Sequence, residues 1–370
     1  MNSRQFNHFV IIGAGIAGTT LALELWKKGC TIDIIDDGYE SASSRVAAGI
    51  LNPIVPKGVT LTWHATDLFP SVFDYYKNWI KNWDVSGKSN QIVEYPFITI
   101  HKSSDESRQW QKRYQHAVMK DWIEAAEMPN FMEAWMNANE SETITGATLS
   151  KHCGRLDVAA FIYSAKQFLI QNGVNFIERK LEYKEQSEDE LLDDILMNCS
   201  SQKAVGIIFC EGIKAINNPI FKDLFFDPTG GDILKVKIQG LPKDTMFKRG
   251  LWLVPVGNDE WLAGSNFHKG SLEDRPNQED AESLIAQLKQ WIPFPIELLE
   301  HKRGVRPTVQ NRRPYLGKNN IHDNCFIFNG LGSKGSSLCA WLSPMMADYV
   351  CGVGELIEDV DIQRFYNEKS

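Results

Sequence analysis

Phe9-Val10-Ile11-Ile12-Gly13-Ala14-Gly15-Ile16-Ala17-Gly18 is the stretch that decides the fold. Its four leading apolar residues make a short run of the kind that forms a buried parallel strand. The glycines follow at once with the spacing G-x-G-x-x-G. Thr19 to Lys28 reads as a helix with Leu21 and Leu25 on one face and Gly29 as its stop, and Thr31-Ile32-Asp33-Ile34-Ile35 reads as a second strand closed by Asp36. Strand, glycine turn, helix, strand and acid in this order make a dinucleotide-binding unit. The first glycine allows the tight turn, the second lets the backbone approach a pyrophosphate, and the third lets the helix lie close to the sheet. The helix N-terminus offers free N–H groups and a positive dipole end to the phosphates. Asp36, about 20 residues beyond the glycines, stands where a carboxylate accepts hydrogen bonds from ribose hydroxyls. An acid there disfavours a 2′-phosphate, which leaves FAD or NAD ahead of NADP.

The chain has 370 residues, enough for two or three domains or one large domain with an insertion. Its net charge of -8 gives no general attraction to phosphate backbones, so nucleic acid is not an expected partner. The seven cysteines, at 30, 153, 199, 210, 325, 339 and 351, form neither a C-x-x-C pair nor a Cys/His metal spacing. Buried free thiols in a reducing compartment are expected, with no disulfide framework and no metal. The first strand starts by Phe9, leaving no room for a signal peptide, and no run of 18 or more apolar residues occurs. A cytoplasmic protein without a membrane span is expected.

Beyond the first unit, Ser43 to Pro53 is rich in small residues that permit close backbone contact with something flat. Leu61 to Trp83 reads as helix, with Phe69, Phe73, Tyr76 and Ile80 as a core stripe, and Asp105 to Met128 as another. Ile92 to His101 alternates as strands do. Asp157 is a candidate N-cap for a helix running to about Gln171, followed by the turn Asn172-Gly173 and a strand from Val174. Glu185 to Asp194 is acidic and reads as a solvated loop or helix face. Ala204 to Cys210 is another buried parallel strand entering Glu211-Gly212. Between Asp232 and Phe267 the pattern becomes antiparallel sheet, with Gly257-Asn258-Asp259 as a turn. Helix is expected over Glu279 to Trp291, strand over Cys325 to Phe328, and a final helix from about Gly335. The expected architecture is α/β: a Rossmann-like βαβ domain (1–90, 151–228 and 301–370) interleaved with an antiparallel-β substrate domain (91–150 and 229–300).

Gly330-Leu331-Gly332-Ser333-Lys334-Gly335 repeats the glycine spacing. No apolar strand and acid follow it, as a second dinucleotide unit requires. It reads instead as a helix N-terminus poised at an electron-rich group, such as the N1/C2=O edge of a reduced flavin.

The fingerprint, the Ser44-to-Pro53 stretch, Gly304-Val305-Arg306-Pro307-Thr308, Pro314-Tyr315-Leu316-Gly317 and the Gly330 loop together resemble the D-amino-acid oxidase superfamily of flavoproteins. Glycine oxidase and sarcosine oxidase are its nearest familiar branches. The Gly330 loop is also similar to the oxidoreductase half of the bacterial bifunctional enzyme that modifies wobble uridines in tRNA. The resemblance implies FAD bound by Gly13, Ala14, Gly15, Ile16 and Ala17, with Asp36 and Asp37 on the ribose side. Ser44, Arg45, Ala47, Ala48 and Gly49 line the pyrophosphate and the ring. The strand from 174 to Leu181 contacts the adenine, and Cys210 and Gly212 lie near the cofactor. Gly332, Ser333, Lys334, Gly335 and Ser336 meet the flavin edge, Gly304 lies by the ring, and Arg306 binds the substrate carboxylate. Gly304 stands where the sarcosine oxidase branch attaches its flavin through cysteine, so dissociable FAD is expected. Asn311 replaces the usual Asp, and Pro344 comes late in the last helix.

The residues agree in part on their own terms. An arginine guarding an apolar cavity holds a carboxylate through two parallel charge-assisted hydrogen bonds; an interdomain salt bridge is the alternative for Arg306. Lys334 either stabilises the reduced flavin or faces solvent. Trp252 and Trp261 are candidates for the substrate wall, with packing as the alternative. The expected reaction is oxidation of a C–N bond of an amino acid or secondary amine by hydride transfer to flavin N5. The rivals are a tRNA wobble-uridine oxidoreductase, an NAD dehydrogenase, and a flavin-binding protein without turnover.

Overall fold

The computed structural model describes residues 7–69, 71–84, 86–87, 89–132, 146–183, 186–200 and 204–366. A six-stranded sheet runs in the order Asn175–Glu178, Thr31–Asp36, His8–Ile12, Gly206–Phe209, Cys325–Asn329, Tyr315–Lys318. The first five strands are parallel and the last is antiparallel. His8–Ile12 lies inside the sheet, and its alternate residues serve different layers. Phe9 and Ile11 enter a core with the helix Ile16–Lys27 and the last long helix, Gly335–Val350 (the four-residue helix Gln363–Tyr366 follows it), while Val10 and Ile12 enter a core with Leu191, Ile195 and Phe221. All four are at most 4% exposed, so each contributes roughly 1.5–3 kcal/mol of burial. The continuous apolar run is the consequence of a parallel strand covered on both faces.

The second sheet has nine strands and is largely antiparallel. Thr229–Lys237 lies at its heart, pairing with Glu260–Gly264 and with Glu297–Arg306. The latter strand crosses the expected boundary at 300/301 and stays in this sheet throughout. Leu251–Gly257 and Glu260–Gly264 form the expected hairpin, whose turn residues Asn258 and Asp259 take φ +54° and +60°. Helix Gln278–Lys289 covers one face through Leu284 and Leu288, packing on Leu234, Val236 and Trp261. The other face looks toward the small-residue stretch after Ser43, with Ile233 and Trp252 against Val46 and Ala48.

Some expected elements differ. Leu61 to Trp83 is not one helix but Ala65–Leu68 and Val72–Ile80, after a strand at Thr60–Leu61. The helix from Asp105 ends at Tyr114, and Ile123–Ala126 is a strand paired with Ala147–Ser150. Asp157 does cap its helix, Val158–Gln171, its carboxylate accepting from the Ala160 N–H at 3.1 Å. Such a cap is worth about 1 kcal/mol. In the acidic stretch Glu185 lies outside the described residues, and Glu188–Met197 is a helix opened by a Ser187/Glu190 capping box. All seven thiols are free. Four are buried, but Cys30, Cys199 and Cys351 are half-buried rather than buried as expected.

Candidate functional site

The glycine turn stands where strands depart to both sides of His8–Ile12, the usual ligand crevice of an open parallel sheet. Its three glycines do different work. Gly13 takes φ +98° and donates its N–H to Ile35 O (2.8 Å); a Cβ on it would come 2.6 Å from Cys210 O. A Cβ on Gly18 would fall on the Gly13 carbonyl oxygen. Gly15 is different. Its backbone is ordinary (φ -69°, ψ -171°), and a Cβ there would meet only the Ser44 side chain, at 3.1 Å. The protein's own packing requires the first and third glycines. The second keeps a space open in front of the helix.

Donors converge on that space. The N–H groups of Gly15 and Ala17 have no acceptor among the described residues, and Ile16 N–H donates to Ser44 Oγ at 3.0 Å. A helix start with free N–H groups suits phosphate oxygens. Asp36 accepts from Ala14 N–H (2.8 Å) and Gly38 N–H (2.9 Å), which fixes its carboxylate at the turn. Asp37 is paired with Lys214 and accepts from Tyr39 N–H at 3.2 Å. Cys210 N–H donates to Ile12 O (2.7 Å), and Gly212 O accepts from Asn329 Nδ2 (2.9 Å), which ties the neighbouring strand ends to the turn. Leu181 packs at the margin of the core that holds Ile35. Arg45 is exposed; its N–H donates to Ala42 O (2.8 Å), and its side chain has no hydrogen bond or ion pair among the described residues.

The second glycine loop reaches the same place. A Cβ on Gly335 would lie 3.2 Å from Ile16 Cγ2, so the first and last helices begin side by side. Gly332 N–H donates to Pro307 O (3.2 Å), and Ser336 O accepts from Tyr76 OH (2.6 Å). Ser333 is exposed. Lys334 turns inward, donating from Nζ to Asn52 O at 2.7 Å. Burial pushes its pKa down to about 8 from the ordinary 10.5, with Cys153 opposing weakly. The unfolded chain therefore binds more protons between about pH 8 and 10.5, and the cost that the buried Lys334 ammonium places on folding fades as pH rises through that window. The apoprotein's melting temperature is expected to gain on that of Lys334→Met over this range. A constant difference would place the ammonium in water.

Across the gap lies the face of the large sheet that carries Arg306. Gly231 pairs with Gly304, and Ile233 and Trp252 both pair with Gly264, so these residues and Arg306 share one face. A Cβ on Gly304 would lie 3.2 Å from Val46 Cβ. Gly49 takes φ +72° against strand Gly154–Leu156; Ala48 lies opposite this face, while Ala47 packs against the core around the first helix. Arg306 donates from Nη1 to Gly230 O (3.2 Å) and from Nη2 to Ser265 Oγ (3.0 Å), and it stacks 4.8 Å from the Phe267 ring centre. Burial lowers its pKa, with Asp232 opposing. No carboxylate pairs with it among the described residues. The interdomain salt-bridge alternative therefore has no carboxylate partner among the described residues, and the guanidinium is partly dehydrated.

Trp252 lies on this face. Trp261 does not: it is fully buried on the opposite face, donating Nε1–H to Ile238 O (3.2 Å), so its candidacy for the substrate wall is corrected to packing. Asn311 is exposed and accepts from Arg313 N–H at 3.0 Å. Gly230, Gly231, Ser265 and Phe267 were missed from sequence; the Gly-Gly pair inside a strand was the available signal of a close approach. A Cβ on Gly231 would come 2.6 Å from Arg306 Cζ. Gly231→Ala should displace the guanidinium and cost about a hundredfold in kcat/KM. Unchanged kinetics would detach Arg306 from the reaction. On the sheet's other face Arg303 Nη1 bridges Asp232 (3.2 Å) and Asp280 (2.8 Å), with His301 on Asp232. The ligand atoms of Asp232, His268 and Asp280 lie within 4.8 Å of one another, but this arginine already compensates their charge.

Comparison with known proteins agrees with this geometry. The family model for FAD dependent oxidoreductases matches residues 8–349. The chain is 22% identical over 364 residues to the glycine oxidase of Bacillus licheniformis, covering 93% of this chain and 92% of that protein. It is 23% identical over 357 residues to the tRNA 5-methylaminomethyl-2-thiouridine biosynthesis bifunctional protein MnmC of Idiomarina loihiensis; the match covers 92% of this chain but only 55% of that protein. Among solved structures, glycine oxidase from Geobacillus kaustophilus superposes with a TM-score of 0.74 at 16% identity, covering 95% of this chain and 96% of that one. Iminodiacetate oxidase from Chelativorans sp. BNC1 gives 0.72 at 17%, covering 94% and 96%. No helix among the described residues is long and apolar enough to cross a membrane.

Proposed function

Because the chain belongs to the family of FAD-dependent oxidoreductases, we propose that it oxidises a C–N bond in an amino acid or secondary amine bearing a carboxylate. The observation that carries this reading is Arg306: partly buried, without a carboxylate partner among the described residues, and on the sheet face opposite Val46 and Ala48. The space kept open at Gly15 and the free N–H groups beside it fit the pyrophosphate of FAD. Gly13, Ala14, Gly15, Ile16, Ala17 and Ser44 would hold that group, with Asp36 on the ribose and Gly332 to Ser336 at the ring edge. FAD, when bound, supplies the acceptor for the hydride that leaves the substrate carbon.

The chain's own part is positioning. Arg306 grips the carboxylate through two N–H donors and so fixes the direction of the neighbouring C–H. Trp252, Ile233 and Leu262 keep water from that side of the pocket. Lys334, held by Asn52 O, brings a positive charge inward at the start of the last helix. Positioning of this kind supplies about 7–11 kcal/mol of a barrier, and no side-chain base is required. The purified protein should be yellow, acid precipitation should release its flavin into the supernatant, and a carboxylate-bearing amine should bleach the colour without oxygen. Colour staying in the pellet would contradict dissociable FAD, and a full panel of such amines that bleaches nothing would overturn the reaction.

The similarity to the tRNA-modifying bifunctional protein favours a second reading, in which the oxidised bond belongs to a glycine-like side chain on a wobble uridine. The demand on Arg306 is the same. The net charge of -8 gives tRNA no general attraction. A tRNA carrying that side chain, added to the panel, separates the two readings.

A further inference from the structure

Cys30 and Cys351 are 321 residues apart in sequence, yet their sulfurs stand 3.8 Å from one another. Both are half-buried. Cys30 follows the turn that ends the first helix, and Cys351 is the C-cap of the last helix. The two helices run alongside each other. They begin together at Ile16 and Gly335, share a hydrogen bond between Thr20 Oγ1 and Ser343 Oγ (2.7 Å), and end together at the ion pair of Lys28 with Asp348. Cys30 N–H donates to Leu25 O (3.1 Å) and Cys351 N–H to Ala347 O (3.2 Å), so both backbones are anchored and only the side chains need turn. A disulfide is about 2.05 Å long, which asks the sulfurs to approach by about 1.8 Å.

We propose that Cys30 and Cys351 are a redox modification site: a hydroperoxide converts them into a reversible disulfide that fastens the far ends of the two helices whose N-termini form the cofactor crevice. The Cys351 sulfur attacks a peroxide oxygen, the O–O bond breaks, and Cys351 becomes a sulfenic acid while the departing hydroxide gains a proton. The Cys30 sulfur then attacks the Cys351 sulfur, expelling hydroxide that leaves as water with the Cys30 proton. Two thiols lose two electrons and two protons, and hydrogen peroxide becomes two waters. The roles follow from the surroundings. The hydrogen bond from the Cys30 thiol, helped by the Lys28 ammonium, brings the Cys351 thiol down to about 7, whereas Cys30 is held up. A thiol titrating near ambient pH is the most effective attacker. Of the other five cysteines, Cys153, Cys210, Cys325 and Cys339 are buried, and burial pushes the half-buried Cys199 up to about 12.

The test exposes the reduced holoprotein to one equivalent of hydrogen peroxide, counts thiols after denaturation, and maps peptides. The expected result is loss of two of the seven thiols, a single cross-link between the Cys30 and Cys351 peptides, and full recovery with dithiothreitol. Cys351 should react about tenfold faster than any of the other five. Cys30→Ser should stop at a sulfenic acid on Cys351, trapped by dimedone, and Cys351→Ser should lose no thiol at that dose. Loss spread over other cysteines, no loss at all, or a lasting Cys351 sulfenic acid in the unmutated protein would overturn the proposal.

Discussion

Arg306→Ala is expected to lower kcat/KM for a carboxylate-bearing amine while leaving FAD content and melting temperature nearly unchanged. With the guanidinium gone, the substrate carboxylate would enter a largely apolar pocket unpaired. Breaking a buried charge pair this way costs about 3–5 kcal/mol, roughly two to four decades in rate. The structure also says why stability should hold. Arg306 has no carboxylate partner to lose among the described residues; it has hydrogen bonds to Gly230 O and Ser265 Oγ and its stacking on the exposed Phe267 ring. Arg306→Lys should recover little, since an ammonium cannot reproduce the planar two-pronged geometry. Kinetics and thermal melting on the same variant separate the roles. A variant that is destabilised yet turns over normally would make Arg306 structural.

Gly15→Val is expected to abolish FAD retention in a protein that still folds. Gly13 and Gly18 cannot serve for this experiment, because a side chain at either collides with backbone. At Gly15 the backbone is one that valine adopts, and the first atom met is the movable Ser44 hydroxyl. The branched side chain would then occupy the space in front of the helix start, and the pyrophosphate could no longer approach the free N–H groups. Circular dichroism and flavin content together read the outcome. A folded variant with stoichiometric FAD would mean that the cofactor lies elsewhere.

What was legible in the sequence was what is local. Strand, turn, helix and second strand of the fingerprint fall between His8 and Asp36, so the signals that specify them all lie within one short stretch of chain. Asp157 as a cap and Asn258-Asp259 as a turn were readable for the same reason. Periodicity failed where tertiary pairing took over. Asp105 to Met128 keeps a helical pattern of charge, yet Ile123–Ala126 is claimed by Ala147–Ser150 as a sheet partner. Leu61 to Trp83 contains Pro70, which lacks the N–H that a continuous helix needs. Alternation along a strand shows two faces without saying which one meets the cofactor, so Trp252 and Trp261 looked equivalent and turned out to lie on opposite sides. The setting of Arg306 was least legible, because Gly230, Gly231, Ser265 and Phe267 reach it only through the register of the large sheet.

The most direct test compares matched substrates on the purified yellow holoprotein without oxygen: an N-methyl amino acid, and the same amine lacking its carboxylate. The account predicts that the first bleaches the flavin rapidly and the second barely at all, and that Arg306→Ala erases most of the difference. Equal bleaching by both amines, unchanged in the variant, would contradict it.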